Sequence, residues 1–281
     1  MENVFKLGAK ADKKTSSILF VCGLFFFLFI WFLITSVLNL ITPMILPSPQ
    51  SVFFSFFELK DNFQLFANCK YSILLNLKGY LEAVCISIPL GFLIGWNDYT
   101  KALLSNYVNS ARFLPLTALT GLFIAYFGLG LSMKIHFLSF GIIIYLVPVI
   151  VQRIDEIEKV HLQTIYTLNA NSWQKLRHVY FPSVLSRISD DIRVLVAISW
   201  TYIIVAELIN KEGGIGAMIF NSGKQGRMDW VYCLLICIII IGILQDFLFK
   251  LADKFIFPYK YDKNLRQTIL KLIINPKPKK V

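Results

Sequence analysis

Six apolar runs of bilayer-crossing length leave this chain few ways to fold. A helix that crosses a membrane needs about 20 mainly apolar residues, and the sequence offers Ile18–Ile41, Tyr71–Trp96, Tyr107–Phe127, Ile135–Val151, Val194–Ile209 and Trp230–Phe249. Hydrocarbon holds no water to satisfy backbone N–H and C=O groups, so only helices or closed barrels can span it. Continuous runs of this length predict helices, and the chain is read as an all-α, polytopic membrane protein with six transmembrane helices. The fifth run is short; its helix is expected to begin earlier, near Ser183, in polar sequence at the membrane surface. Composition agrees, with only 16% charged residues and a mean hydropathy of +0.63, against about 25% charged in soluble domains. The basic stretch before the first run has the order of a signal peptide, but Ile18–Ile41 is longer than a signal's apolar core and is read as a retained span.

Lys and Arg set the orientation, because they accumulate in cytoplasmic loops. Segments 1–17, 97–112, 152–193 and 250–281 hold 4, 2, 6 and 9 of them, 21 in all; 42–70, 128–134 and 210–229 hold 2, 1 and 3, which makes 6. This places both termini inside. The chain then reads as a cytoplasmic tail (1–17), a membrane domain (18–257) and a basic cytoplasmic tail (258–281) expected to rest on anionic lipid. On the outside, Pro43, Pro47 and Pro49 impose extended backbone on their neighbours, and Val52–Phe66 is expected to form an amphipathic helix on the outer face. The other large outer loop, Asn210–Asp229, is glycine-rich, with Ala217–Phe220 as an apolar piece inside it.

Several functions are excluded. The net charge of +11 comes without any nucleic-acid-binding motif, so no nucleic-acid partner is expected. The five cysteines form no CxxC and the three histidines are isolated, which argues against a metal or other cofactor. No GxxxxGK[ST] phosphate loop, GxSxG or HExxH is present, so neither nucleotide hydrolysis nor covalent catalysis is assigned to this chain and no residue is read as catalytic.

The polar interruption Arg153–Pro182 carries the functional signal. It is expected to form two short cytoplasmic helices, Glu156–Leu168 and Trp173–Tyr180, joined at Asn169-Ala170-Asn171, with Ser172 as N-cap and Pro182 as terminator. Asn169 is the residue suited to the left-handed turn between them. An exposed hairpin bearing Ile and Trp is a costly surface unless a partner covers it. Within the spans, ionisable groups are functional candidates. Glu82 has Lys78 at i−4 as a possible partner, Glu207 lies at the outer end of the fifth span, Asp246 has Lys250 at i+4, and Arg193 is read as a snorkelling anchor.

The interruption resembles the cytoplasmic coupling loop of bacterial ABC-importer permeases, an E-A-A, three residues, G, nine residues, I-x-L-P pattern. The spacing is kept in Gln163-Thr164-Ile165, Asn169 and Val179-Tyr180-Phe181-Pro182, although Gln replaces Glu and Asn replaces Gly. Further segments resemble the nitrate, sulfonate and taurine branch: Leu46-Pro47-Ser48-Pro49, Ile88-Pro89-Leu90-Gly91, Arg112-Phe113-Leu114-Pro115, Phe127-Gly128-Leu129-Gly130 and Val205-Ala206-Glu207 with Gly213-Gly214-Ile215-Gly216. The resemblance implies the permease subunit of an ATP-driven importer of a small solute in the bacterial plasma membrane, with three kinds of partner: ATPase subunits on the cytoplasmic side, an external solute-binding protein and a second permease copy. It implies that Glu158, Gln163, Leu168, Asn169, Ala170 and Pro182 belong to the ATPase contact. Asn76, Glu82, Thr117, Trp200 and Glu207 are candidates for the translocation pathway. The alternative reading is a stand-alone secondary transporter or channel.

Overall fold

The computed structural model describes residues 12–157, 165, 167, 169–209 and 211–261, and among them every regular element is helical. The helices are α1 (Lys13–Phe32), α2 (Pro49–Asn62), α3 (Leu65–Gly95), α4 (Asp98–Ala111), α5 (Thr120–Phe127) and α6 (Leu131–Asp155). After them come α7 (Ser172–Ile209), α8 (Ile215–Lys224), α9 (Met228–Ile256) and α10 (Pro258–Tyr261). Among the described residues, five stretches are long and apolar enough to cross a membrane: Lys14–Val37, α3, α6, α7 and α9.

The third crossing departs from the sequence expectation. In place of one helix over Tyr107–Phe127, α4 ends at Ala111, and a short 3-10 turn, Leu116–Leu119, leads into α5; the two arms are bent by 91°. Pro115 explains the break, since it bars Leu114 from helical backbone and removes a donor. Counted as one bent span, the pair makes the sixth crossing. The fifth span is longer than expected: it begins at Ser172 and runs through Pro182. A π turn, Leu176–Tyr180, lies where the proline ring would otherwise press on the carbonyl four residues back, so Pro182 continues the helix where the sequence reading had it end one.

The chain forms two units. The larger comprises residues 67–217 and 237–281. Its centre is α6, which is 61% buried over its most apolar window, as a helix surrounded by others must be. Glycines let α3 lie against it: a Cβ on Gly91 would stand 2.5 Å from Ile150 Cγ2, and one on Gly79 would stand 2.7 Å from Leu138 Cδ2. Without a hydrophobic drive between helices in lipid, such close van der Waals approach supplies much of the association. On its other side α6 packs along α7, where Gly141 meets Leu116 and Tyr202.

The smaller unit comprises residues 1–66 and 218–236. In it α1 passes through a π turn, Leu33–Val37, and Trp31 Nε1 donates to the Pro47 carbonyl at 2.9 Å. Helix α2 starts at Pro49, earlier than expected, because Ser48 caps it and proline suits the first turn. Arg227 organises this unit by binding Glu58 at 2.7 Å and Asp229 at 2.8 Å. Trp230 Nε1 also donates to Glu58, and Ser55 Oγ to Asp229. The Arg227 bond, and then the Trp230 indole, hold the Glu58 carboxyl below the usual carboxylate range.

We expect Gly91→Ala to cost about 1–3 kcal/mol by overpacking, read as a lower unfolding midpoint in detergent. Ile150→Ala in the Gly91→Ala background should recover part of that loss. Gly23→Ala, which meets nothing within 4 Å, should leave the midpoint unchanged.

Candidate functional site

Most of the expected first helix, Glu156–Leu168, lies outside the described residues, and the turn after it is set by backbone chemistry. Asn169 adopts φ +51°, and the Ala170 N–H donates to the Ile165 carbonyl at 3.4 Å, five residues back. That six-to-one bond around one left-handed residue is how helices commonly close, and Asn takes the place usually held by Gly. Two residues later α7 opens with Asn171 as its N-cap, one position earlier than the sequence reading placed it. Asn171 Oδ1 accepts from the Gln174 N–H at 2.8 Å, and Gln174 Oε1 accepts from the Asn171 N–H at 2.9 Å. This reciprocal capping box fixes the angle at which α7 leaves the turn. Trp173, in the first turn of α7, is 64% exposed. Glu158, Gln163 and Leu168 lie outside the described residues; Asn169, Ala170 and Pro182 lie within them.

Ion pairs tie the base of the hairpin to the helices. Arg153 on α6 grips Asp191 on α7 with two bonds, of 2.7 and 2.8 Å, and also reaches Glu156 at 2.6 Å. The Arg153 bond, then one from Gln152, hold the Glu156 carboxyl below its ordinary range. Arg187 on α7 donates to the Glu156 carbonyl at 2.7 Å. Arg193, read from the sequence as a snorkelling anchor, pairs with Asp246 on α9 at 2.6 Å, and Asp246 pairs with Lys250 as the i, i+4 spacing suggested. Lys260 on α10 bridges Asp190 and Asp253, and Asp253 also accepts from Tyr261. Ion pairs thus join α6 to α7 and α7 to α9.

The polar candidates in the spans separate into two groups. Asn76, Trp200 and Glu207 are buried. Asn76 Nδ2 donates to Ser199 Oγ at 2.9 Å, and Trp200 Nε1 to Gln245 Oε1 at 2.9 Å. Glu207 accepts from Ser72 Oγ at 2.6 Å and from the Gly216 N–H at 2.7 Å. Ser72 in turn accepts from the Ile215 N–H, and Asn68 from the Gly214 N–H. Together these side chains satisfy the amides that open α8. Lys134 is also fully buried, with Nζ 3.4 Å from Tyr71 Oη. Thr117 is exposed and Glu82 half-buried. Glu82 does not pair with Lys78; its partner is His136 on α6, Nδ1 to Oε1 at 2.8 Å, with the Phe127 ring 4.4 Å from the imidazole. Sequence reasoning missed this pair, because 54 residues separate its members and no local spacing links them.

Asn169 supplies a direct check of the hairpin geometry. A β-branched residue is strained by about 1–2 kcal/mol in left-handed backbone. We therefore expect Asn169→Ile to speed tryptic cleavage after Lys175 in the purified protein and Asn169→Gly to leave it unchanged.

Residues 87–258 match the family described as "Binding-protein-dependent transport system inner membrane component". The chain is similar to the putative aliphatic sulfonates transport permease SsuC of Bacillus subtilis (strain 168), at 26% identity over 77% of this chain and 79% of that one. It is similar to the taurine transport system permease TauC of Escherichia coli (strain K12), at 24% identity over 77% and 80%. Its fold resembles a chain of the inward-facing MetNI methionine ABC transporter, with a TM-score of 0.59 and 17% identity, covering 69% of this chain and 95% of that one. The family resemblance read from the sequence is borne out, and the chain belongs to the family of inner-membrane components of binding-protein-dependent transport systems, as a multi-pass ABC-importer permease that is not an enzyme.

Proposed function

We propose that this permease crosses the membrane six times with both termini in the cytoplasm, acts as a pair of identical copies, and docks ATPase subunits on the 153–182 hairpin. An external solute-binding protein delivers a small sulfonate-type anion to its outer face. The observation that carries this reading is the described part of the 153–182 segment. Its turn is set by Asn169, its exit by the Asn171–Gln174 capping box, and its exposed Trp173 has no reason to stand in water without a partner. The base is bolted by Arg153 to α6 and α7, so a push from a closing ATPase pair reaches the spans. Glu158, Gln163, Leu168, Asn169, Ala170 and Pro182 are the proposed contact residues. The 21-to-6 distribution of basic residues supports the orientation. The names of the sulfonate and taurine relatives support the solute class.

The test is a pull-down of the tagged chain from native membranes solubilised in detergent. We expect a Walker-A-bearing ATPase to co-purify, and to be lost when Gln163–Asn171 is replaced by a Gly/Ser linker while the permease stays folded and abundant. A thiol-crosslinking scan from Glu158 to Ser172 should yield ATPase adducts. Recovery of the folded chain alone, with no adduct at any position, would overturn the reading in favour of a self-sufficient transporter.

A further inference from the structure

One face of α3 carries polar groups where lipid would penalise them. Helix α3 has 31 residues, and at about 1.5 Å per residue it is longer than the roughly 30 Å hydrocarbon core. Lys78 stands 13 residues from its start and Glu82 13 from its end, so both fall within the hydrocarbon for any placement in which the helix spans it. Lys78, Glu82 and Cys85 follow one another at four- and three-residue spacing and share a face. Lys78 and Cys85 are exposed. Glu82 and its partner His136 keep 27% and 35% of their side-chain surface open. Lys78 makes no hydrogen bond or ion pair among the described residues. By contrast, the neighbouring α3 face bearing Ile73 and Leu77 lines an apolar groove with Leu244 and Leu248 of α9, a surface suited to lipid.

An ammonium group and a carboxylate–imidazole pair opened to hydrocarbon are costly, and such groups in spans face water or protein. We infer that the Lys78–Glu82–Cys85 face lines the water-filled solute passage, and that Lys78 is the cationic contact for the passing anion. This rests on the import-permease reading above and adds to it the specific side of α3 and the residue that selects charge. Glu82 Oε1 is engaged by His136 at 2.8 Å and not by Lys78. A carboxylate one turn from the ammonium weakens its hold on an anion, which suits a solute that must leave again.

Cys85 supplies the probe, since it lies about 10 Å along the helix from Lys78. Cys22, Cys69, Cys233 and Cys237 are replaced by Ala, and the permease is studied in its assembled complex in membranes. Two methanethiosulfonate reagents of similar size are compared, one bearing an alkyl sulfonate and the other a trimethylammonium group. We expect Cys85 to react with the sulfonate reagent faster than with the cationic one. The preference should fall about tenfold in Lys78→Gln at low ionic strength and persist in Lys78→Arg.

Three outcomes overturn the inference. Cys85 reacting only with a lipid-soluble maleimide puts the face in lipid. Reaction with no reagent buries it in an interface. Equal preference in the chain retaining Lys78 and in Lys78→Gln removes the selecting cation. Co-purification of the ATPase in each variant shows that the complex is intact, so failure here is distinguishable from failure of the transporter reading.

Discussion

The bilayer gives a polar group no water, and most of this structure is arranged around that constraint. The Glu207 carboxylate shows how it is met. It is fully buried, yet Ser72 and the Gly216 amide fill its oxygens, while Ser72 and Asn68 take up the Ile215 and Gly214 amides. The turn has glycine because nothing larger fits: a Cβ at Gly214 would stand 2.2 Å from Glu207 Oε1, and that residue has φ +95°. Four side-chain and backbone demands are thus closed in one place, joining the start of α3, the end of α7 and the start of α8. A substitution at Glu207 would leave several of these groups unsatisfied, which costs more than the loss of any one bond.

The same accounting separates structure from function elsewhere. Asn76 with Ser199, Trp200 with Gln245, Arg153 with Asp191 and Arg193 with Asp246 are closed pairs, each linking two helices. They tie α3, α6, α7 and α9 to one another. Among the open surfaces of the described residues, two are at odds with their surroundings: Trp173 in the first turn of α7, and the Lys78–Glu82 face of α3 with His136 of α6 beside it. Open apolar surface facing water and open charge at membrane depth are both unfavourable until something covers them. These two surfaces therefore locate the ATPase contact and the solute passage in the proposals above.

Most of the fold was legible in the sequence, because apolar runs of sufficient length admit only helices in a membrane. The Asn169 turn was legible too, since few residues tolerate left-handed backbone. Three features were not. The 91° bend was signalled by Pro115, but continuous hydropathy through Tyr107–Phe127 masked it. Pro182 reads as a terminator unless the π turn before it is known, and a π turn has no sequence signature. The partners of Glu82 and Arg227 come from 54 and 169 residues away, where spacing rules for a single helix have no reach.

The number of crossings is the hinge of the account. If the bent pair formed by α4 and α5 spans the membrane, Ser172 faces the cytoplasm; if it dips and returns, every later segment is inverted and the hairpin faces outward. Labelling of Ser172→Cys by an impermeant thiol reagent, in vesicles of each orientation and with the native cysteines removed, decides this directly. Reaction from the cytoplasmic side alone is expected. Reaction from the outside alone would separate the hairpin from any ATPase and contradict the coupling role on which the rest depends.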